Sequence, residues 1–317
     1  MNPLHRTSIS RRQFQQHCLA ASVAAATMHS KPLFAQTTKQ SPFRYCLNTS
    51  TIQGEKVDIR EQVKIAVEAG FDGIEIWLRD VERFVKSGGK IFELRHMIAD
   101  AGITVEGAIA FGAWIANDDA ARAKGLDQCR KDMEIVRELG GRRIAAPPAG
   151  ATDGDKIDLD RVAERYATLL DIGRAIEVVP QIEVWGFSKN LAKLSDVIYV
   201  ATESHHPDAC ILPDVYHLYK GGTSFSDLQM LEGRRVNVFH INDYPDIPRE
   251  KVTDADRVYP GDGIAPLAYI FQTMRKNGFQ GVLSLELFNR DYWQQDPLQV
   301  AKTGLAKMKS AVAALEN

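Results

Sequence analysis

Glu68-Ala69-Gly70-Phe71-Asp72-Gly73-Ile74-Glu75-Ile76-Trp77 carries the end of one element, a turn and the whole of the next. Ile59 to Ala69 has helical period, Gly70 can take the left-handed cap, and Gly73 to Trp77 is a short apolar run of β type. The same punctuation recurs at Asp100-Ala101-Gly102 and at Lys276-Asn277-Gly278-Phe279. Working outward, strands are predicted at Arg44 to Asn48, Gly73 to Trp77, Thr104 to Ile109, Arg143 to Ala146, Gln181 to Trp185, Cys210 to Asp214, Asn237 to Ile241 and Val282 to Leu287. Helices are predicted at Ile59 to Ala69, Ile91 to Ala101, Ala120 to Leu139, Leu159 to Glu177, Asn190 to Glu203, Phe225 to Glu232, Ile264 to Lys276 and Pro297 to Leu315. Eight such units over about 275 residues match a single α/β domain of the (β/α)8 TIM-barrel type. The same alternation builds a doubly wound open sheet, but no GxGxxG follows the first strand.

Composition sets the limits around this. The 317 residues are 44% hydrophobic and 25% charged, with a formal net charge of -2, so the broad basic surface of a nucleic-acid-binding protein is not expected. Ser10-Arg11-Arg12-Gln13-Phe14 precedes a mild apolar run, Cys18 to Met28, and then Leu33-Phe34-Ala35. That order resembles a twin-arginine export signal, implying a periplasmic or exported protein. The run is too short for a stable membrane anchor. Residues 1–38 are therefore set aside as signal and short linker, and 39–317 as the barrel. Cys46, Cys129 and Cys210 remain, odd in number and widely spaced, and are expected to be small core fillers.

In such a barrel the active site forms at the C-terminal ends of the strands. The fifth predicted strand reads Gln181-Ile182-Glu183-Val184-Trp185, and the sixth runs out through Leu212-Pro213-Asp214-Val215-Tyr216-His217. The seventh reads Val238-Phe239-His240-Ile241-Asn242-Asp243, and the eighth Leu283-Ser284-Leu285-Glu286-Leu287-Phe288. Four consecutive strands thus each place one metal-capable side chain in or just after an apolar run. Burying three carboxylates and a histidine together is untenable unless a cation or tight pairing compensates them. Glu183, Asp214, His240 and Glu286 make a mostly oxygen donor set that suits Mn2+, Mg2+ or Co2+, with Zn2+ also compatible.

With these residues in this order, I-E-V-W, P-D-V-Y-H, F-H-I-N-D and L-S-L-E-L-F, the chain resembles the sugar phosphate isomerase/epimerase superfamily of xylose-isomerase-like barrels. Its members include ketose 3-epimerases, inosose isomerases and dehydratases. The resemblance implies one divalent metal, usually manganese, magnesium or cobalt, on Glu183, Asp214, His240 and Glu286, with the two glutamates also acting as the acid/base pair. It implies that His217 and Arg257, the latter before Pro260-Gly261-Asp262-Gly263, hold substrate oxygens, and that Glu75 lies near the substrate pocket. Trp77, Phe111, Trp114 and Trp185 are candidates for its wall. The pattern breaks at Lys189, where ketose 3-epimerases carry a further glutamate, and at a longer Tyr244 to Thr253 loop; Lys189 would suit an anionic or enolate-forming substrate.

The chemistry so implied is metal-assisted proton transfer on a small polyhydroxylated carbonyl compound, giving isomerisation or epimerisation. If the enolate instead expels a β-substituent, the site is a dehydratase or lyase. An exported sugar-binding protein without catalysis is a third reading. An AP-endonuclease-like phosphodiesterase would need more histidine ligands than His96, His205, His206, His217 and His240 provide at the strand ends. Association into a homo-oligomer is left open by the sequence.

Overall fold

In the computed structural model, which describes residues 43–53 and 57–315, the predicted glycine turns are made as expected. Gly70 ends its helix at φ 89°, and Gly102 and Gly278 stand at φ 74° and 85°, a region that costs a residue with a Cβ. The residues of the expected export signal lie outside the described ones. Among the described residues no helix is long and apolar enough to cross a membrane.

Among the described residues eight strands follow in chain order: β1 (Arg44–Asn48), β2 (Gly73–Trp77), β3 (Thr104–Ile109), β4 (Arg143–Ala146), β5 (Val179–Glu183), β6 (Ile211–Leu212), β7 (Val238–Ile241) and β8 (Val282–Leu285). Parallel ladders join β3-β2-β1-β8-β7 and β4-β5-β6. A parallel bridge between Asp214 and His240 connects β6 to β7, and β3 packs beside β4, so the ring closes in sequence order. This is a (β/α)8 barrel.

The helices are α1 (Ile59–Ala69), α2 (Leu78–Lys86), α3 (Ile91–Asp100), α4 (Asp119–Glu138), α5 (Leu159–Ile176), α6 (Leu194–Glu203), α7 (Val215–Lys220), α8 (Leu267–Lys276) and α9 (Pro297–Ala313). Side chains alternate across each strand. Outward residues such as Leu47, Ile74, Ile182, Phe239 and Leu283 join the large core beneath the helices. Inward ones, Cys46, Trp77, Ile109, Ala145, Leu212, Val238 and Val282, fill the barrel. Cys46, Cys129 and Cys210 are free and buried, as expected of core fillers.

The differences from expectation have local causes. β5 starts and ends two residues earlier than predicted, which leaves Trp185 in the loop beyond it. β6 is short because Pro213 has no N–H to donate and Asp214 already caps α7, accepting from His217 N at 2.8 Å. α2 and α7 were not predicted; α2 starts directly after β2 and α7 after Pro213 and Asp214 alone, with no loop signal to announce either. Asn190, expected to open a helix, instead ties a loop through Ile157 N, Ala151 O and Asp155 O, so α6 starts at Leu194. Pro266 caps α8, which therefore starts three residues late, and Phe225–Met230 winds as a 3-10 turn.

Candidate active site

Alternation along five strands aims a polar set at the C-terminal mouth of the barrel: Asn48 from β1, Glu75 from β2, Glu183 from β5, His240 from β7, and Ser284 with Glu286 from β8. Asp214 joins them from the end of β6. All are buried.

His240 organises the group. Its Nε2 lies 2.9 Å from Glu75 Oε2, which also accepts from Ser284 Oγ at 2.7 Å and Asn48 Nδ2 at 3.0 Å. A carboxylate acceptor there fixes a proton on Nε2, so that in the neutral imidazole it is the Nδ1 lone pair that would face the mouth. Nδ1 makes no hydrogen bond, yet Glu286 Oε2, Glu183 Oε1 and Asp214 Oδ2 stand 3.2, 3.6 and 3.8 Å away. One ligand atom each from Glu183, His240 and Glu286 fall within 4.8 Å of one another.

Charge in this interior is unbalanced. Glu75, Glu183, Asp214 and Glu286 are four buried carboxylates against one buried guanidinium, Arg257. Burial pushes Glu183 up to about 7 and Asp214 up to about 6. Glu286 feels the same burial, but His240 and Arg257 outweigh it and hold its carboxyl well below the usual range. For His240, burial opposes the charge and Glu286 and Glu75 outweigh it, so the imidazole is raised well above its ordinary value. A bare buried nitrogen surrounded by acidic oxygens, with excess negative charge, fits a divalent cation.

Arg257 bridges the carboxylates. Nη1 donates to Asp214 Oδ2 at 3.0 Å and Glu286 Oε2 at 2.9 Å; Nη2 donates to Asp254 Oδ1 at 2.6 Å and His217 Nε2 at 3.1 Å. Accepting at Nε2 puts the His217 proton on Nδ1, which has no partner in the protein. Burial, aided by the Arg257 charge, holds His217 well below its ordinary value, so it is neutral. The loop after β7 delivers Arg257 through an antiparallel bridge between Asp243 and Val258, while the Asp243 carboxylate accepts from Tyr244, Gly261 and Ala265 N–H groups.

A cavity of about 210 Å³ opens over Glu183, Glu286, His217 and Arg257. Of the expected wall, Trp77, Phe111 and Trp185 line it; Phe187 and Phe288, which were not expected there, complete it. The structure brings the four expected metal ligands together, but Asp214 stands at the edge, its Oδ2 shared between Asn242 Nδ2 and Arg257. Three other residues are placed differently from expectation. Glu75 lies behind His240 and not on the pocket wall, in space left by Gly107, where a Cβ would collide with its Oε1. Lys189 is exposed in a loop, its N–H bonded to Thr152 O, and does not line the cavity. Trp114 is barrel packing, with Nε1 bonded to Pro147 O at 2.7 Å and its ring against Tyr166. Arg257 lines the cavity, but four of its five N–H groups are spent on protein acceptors.

Asn48, Asn242 and Asp254 were not found in the sequence. Asn48 Nδ2 reaches both Glu75 and Glu286, and its Oδ1 accepts from Trp77 Nε1 at 2.9 Å. An asparagine at a strand end reads as a turn residue, so only its contacts reveal it.

Residues 63–311 match the family model described as xylose isomerase-like TIM barrel. Inosose isomerase of Bacillus velezensis is 22% identical over 275 residues, covering 85% of this chain and 97% of that one. The 3-dehydroshikimate dehydratase of Pseudomonas putida is 23% identical over 255 residues, covering 78% of this chain and 39% of the other. The crystal structure of IOLI protein with a bound zinc atom superposes with a TM-score of 0.80 at 20% identity, covering 86% of this chain and 99% of that one.

Proposed function

The chain belongs to the xylose isomerase-like TIM barrel family, and on that premise we propose that it is a divalent-metal-dependent isomerase or epimerase of a small polyhydroxylated carbonyl compound, a keto-sugar or an inosose. The observation that carries this reading is the bare His240 Nδ1 with Glu183, Asp214 and Glu286 around it. Those four side chains would hold the ion; three carboxylates and one imidazole favour manganese, then magnesium or cobalt, and tolerate zinc. When bound, such an ion polarises a carbonyl oxygen and acidifies the neighbouring C–H.

The protein's own groups supply the rest. Glu183 lines the cavity and, with burial raising its proton affinity, is suited to take the carbon-bound proton. Glu286 reaches the same cavity from β8, three strands away around the ring, so a proton can be taken and returned at two different positions. Arg257 and Asn48 fix its two oxygens. The unpartnered His217 Nδ1–H is a neutral donor for a substrate oxygen. Trp77, Phe111 and Trp185 shield the reacting carbons from water.

The similarity to 3-dehydroshikimate dehydratase favours one second reading, in which the same proton abstraction ends in loss of a β-hydroxyl. Incubation of the manganese-loaded protein with a panel of keto-sugars and inososes in D2O, followed by NMR, separates the outcomes. Deuterium at carbon with an isomeric product supports the isomerase; an unsaturated product absorbing in the ultraviolet replaces it with the dehydratase. Tight binding without exchange contradicts both. We also infer export by the twin-arginine route, from Ser10-Arg11-Arg12-Gln13-Phe14 and the apolar run after it. N-terminal sequencing of protein from the periplasmic fraction should show cleavage before the barrel; an intact N-terminus on cytoplasmic protein contradicts it.

A further inference from the structure

The cavity of about 210 Å³ above Glu183 and Glu286 falls below the ~300–1,000 Å³ usual for small-molecule sites, and so has room for little more than one compact ring. The aromatic wall does not stop at its mouth. Ring centroids run from Phe288 to Trp77 at 5.8 Å, Trp77 to Phe111 at 5.4 Å, Phe111 to Trp185 at 5.9 Å and Trp185 to Phe187 at 5.1 Å. Trp77 is buried and Trp185 half-buried, but Phe111 is 46% exposed and Phe187 42% exposed. The two phenyl rings come from loops after β3 and β5, and each packs against the Trp185 indole. Neither exposure serves the barrel core, and grouped exposed apolar rings continuous with a cavity mark a ligand surface.

Charge narrows the ligand. Arg257 is the cationic side chain among the lining residues, and four of its five N–H groups are committed to Asp214, Glu286, Asp254 and His217. Asp254 adds a carboxylate at the same mouth, which opposes a phosphate or other dianion.

We propose that Phe111, Trp185 and Phe187 form an outer subsite that stacks the apolar face of a second ring, so that the substrate is an uncharged glycoside, a sugar bearing a pyranosyl or aryl group, and not a free or phosphorylated monosaccharide. This rests on the reading of the inner site as one for a polyhydroxylated carbonyl compound. Ring stacking on such a platform tightens binding by about tenfold.

The test is a tryptophan-fluorescence titration of the manganese-loaded full chain with glucose, phenyl glucoside, cellobiose and glucose 6-phosphate. The expected result is about tenfold tighter binding of phenyl glucoside or cellobiose than of glucose, with glucose 6-phosphate weakest. Whichever ring-bearing ligand gains more identifies the second ring as aryl or sugar. The double variant Phe111→Ala/Phe187→Ala should bring the affinities for phenyl glucoside and cellobiose down to that for glucose, whereas Phe92→Ala, an exposed ring on α3, should leave the gain intact. Equal binding of glucose and both glycosides, tightest binding of the phosphate, or a preference that survives the double variant overturns the proposal. A ring preference without solvent hydrogen exchange on any substrate keeps this subsite and removes the isomerase; exchange on free sugars without a ring preference does the reverse.

Discussion

The two ends of the barrel interior both bury carboxylates, and they treat them in opposite ways. At the N-terminal floor Glu106 meets Arg44 at 2.8 Å and Arg143 at 3.6 Å, and shares a hydrogen bond with Thr104. Two guanidiniums answer one carboxylate, so the floor is complete with protein groups alone. At the C-terminal mouth four carboxylates are buried with one arginine, which reaches Asp214 and Glu286 among them, and the His240 nitrogen beside them has no hydrogen bond. Without a cation the mouth meets that imbalance by holding protons on His240 and Glu183, and a divalent ion would take their place. The contrast locates function at the mouth and stability at the floor, as the barrel architecture leads one to expect.

The sharpest way to break the contrast is Glu286→Gln. It removes a ligand and a proton carrier while keeping the shape, and should lower the rate of solvent hydrogen exchange into substrate by at least about 10³-fold. Full activity in that variant, with its fold verified by circular dichroism, would end the assignment.

A pH effect on the metal-free protein comes next. Burial raises Glu183 to about 7 and Asp214 to about 6, above their unfolded values, so their contribution to stability is present near pH 5 and lost as pH rises through 7. For His240 burial opposes the charge and Glu286 and Glu75 raise it, which acts in the same direction. Thermal melts of chelator-treated protein should therefore show a loss of about 2 kcal/mol between pH 5 and pH 8. Saturating metal should offset it at pH 8, by about 2.7 kcal/mol at one hundred times Kd. A metal-free melting temperature that rises over that range would show that the mouth is compensated from within.

Smaller still is Glu75→Gln. Glu75 touches His240 Nε2 from behind, so the variant should keep the fold and weaken metal binding by about 10- to 100-fold. Glu106→Gln is the control with the least effect on the site: it should lower stability by about 1–3 kcal/mol in urea unfolding and leave metal affinity unchanged. A fall in metal affinity there would erase the distinction between the two ends.

The sequence showed the mouth more clearly than its supports. Glu183, Asp214, His240 and Glu286 stand out because each interrupts an apolar run on a strand, and charge inside such a run demands a reason. The glycine turns at Gly70, Gly102 and Gly278 gave the barrel its punctuation for an equally local cause. What could not be read depends on distance through space. Glu75 was found but put in the pocket, because nothing along β2 says that its carboxylate passes under His240. Asp254 lies in the long loop after β7, whose length was noticed but whose job, bringing a carboxylate to Arg257, needs the folded path. Lys189 looked close to the site by counting from Glu183, and the turn at Trp185 to Ser188 carries it outward.

The central claim is that the mouth holds one divalent ion through His240 and the surrounding carboxylates. Calorimetric titration of chelator-treated protein with Mn2+ at pH 7.5, on the unaltered chain and on His240→Ala, tests it most directly. The account predicts one equivalent bound per unaltered chain and none by the variant. No binding by the unaltered chain, or one equivalent retained by His240→Ala at the same affinity, would contradict it.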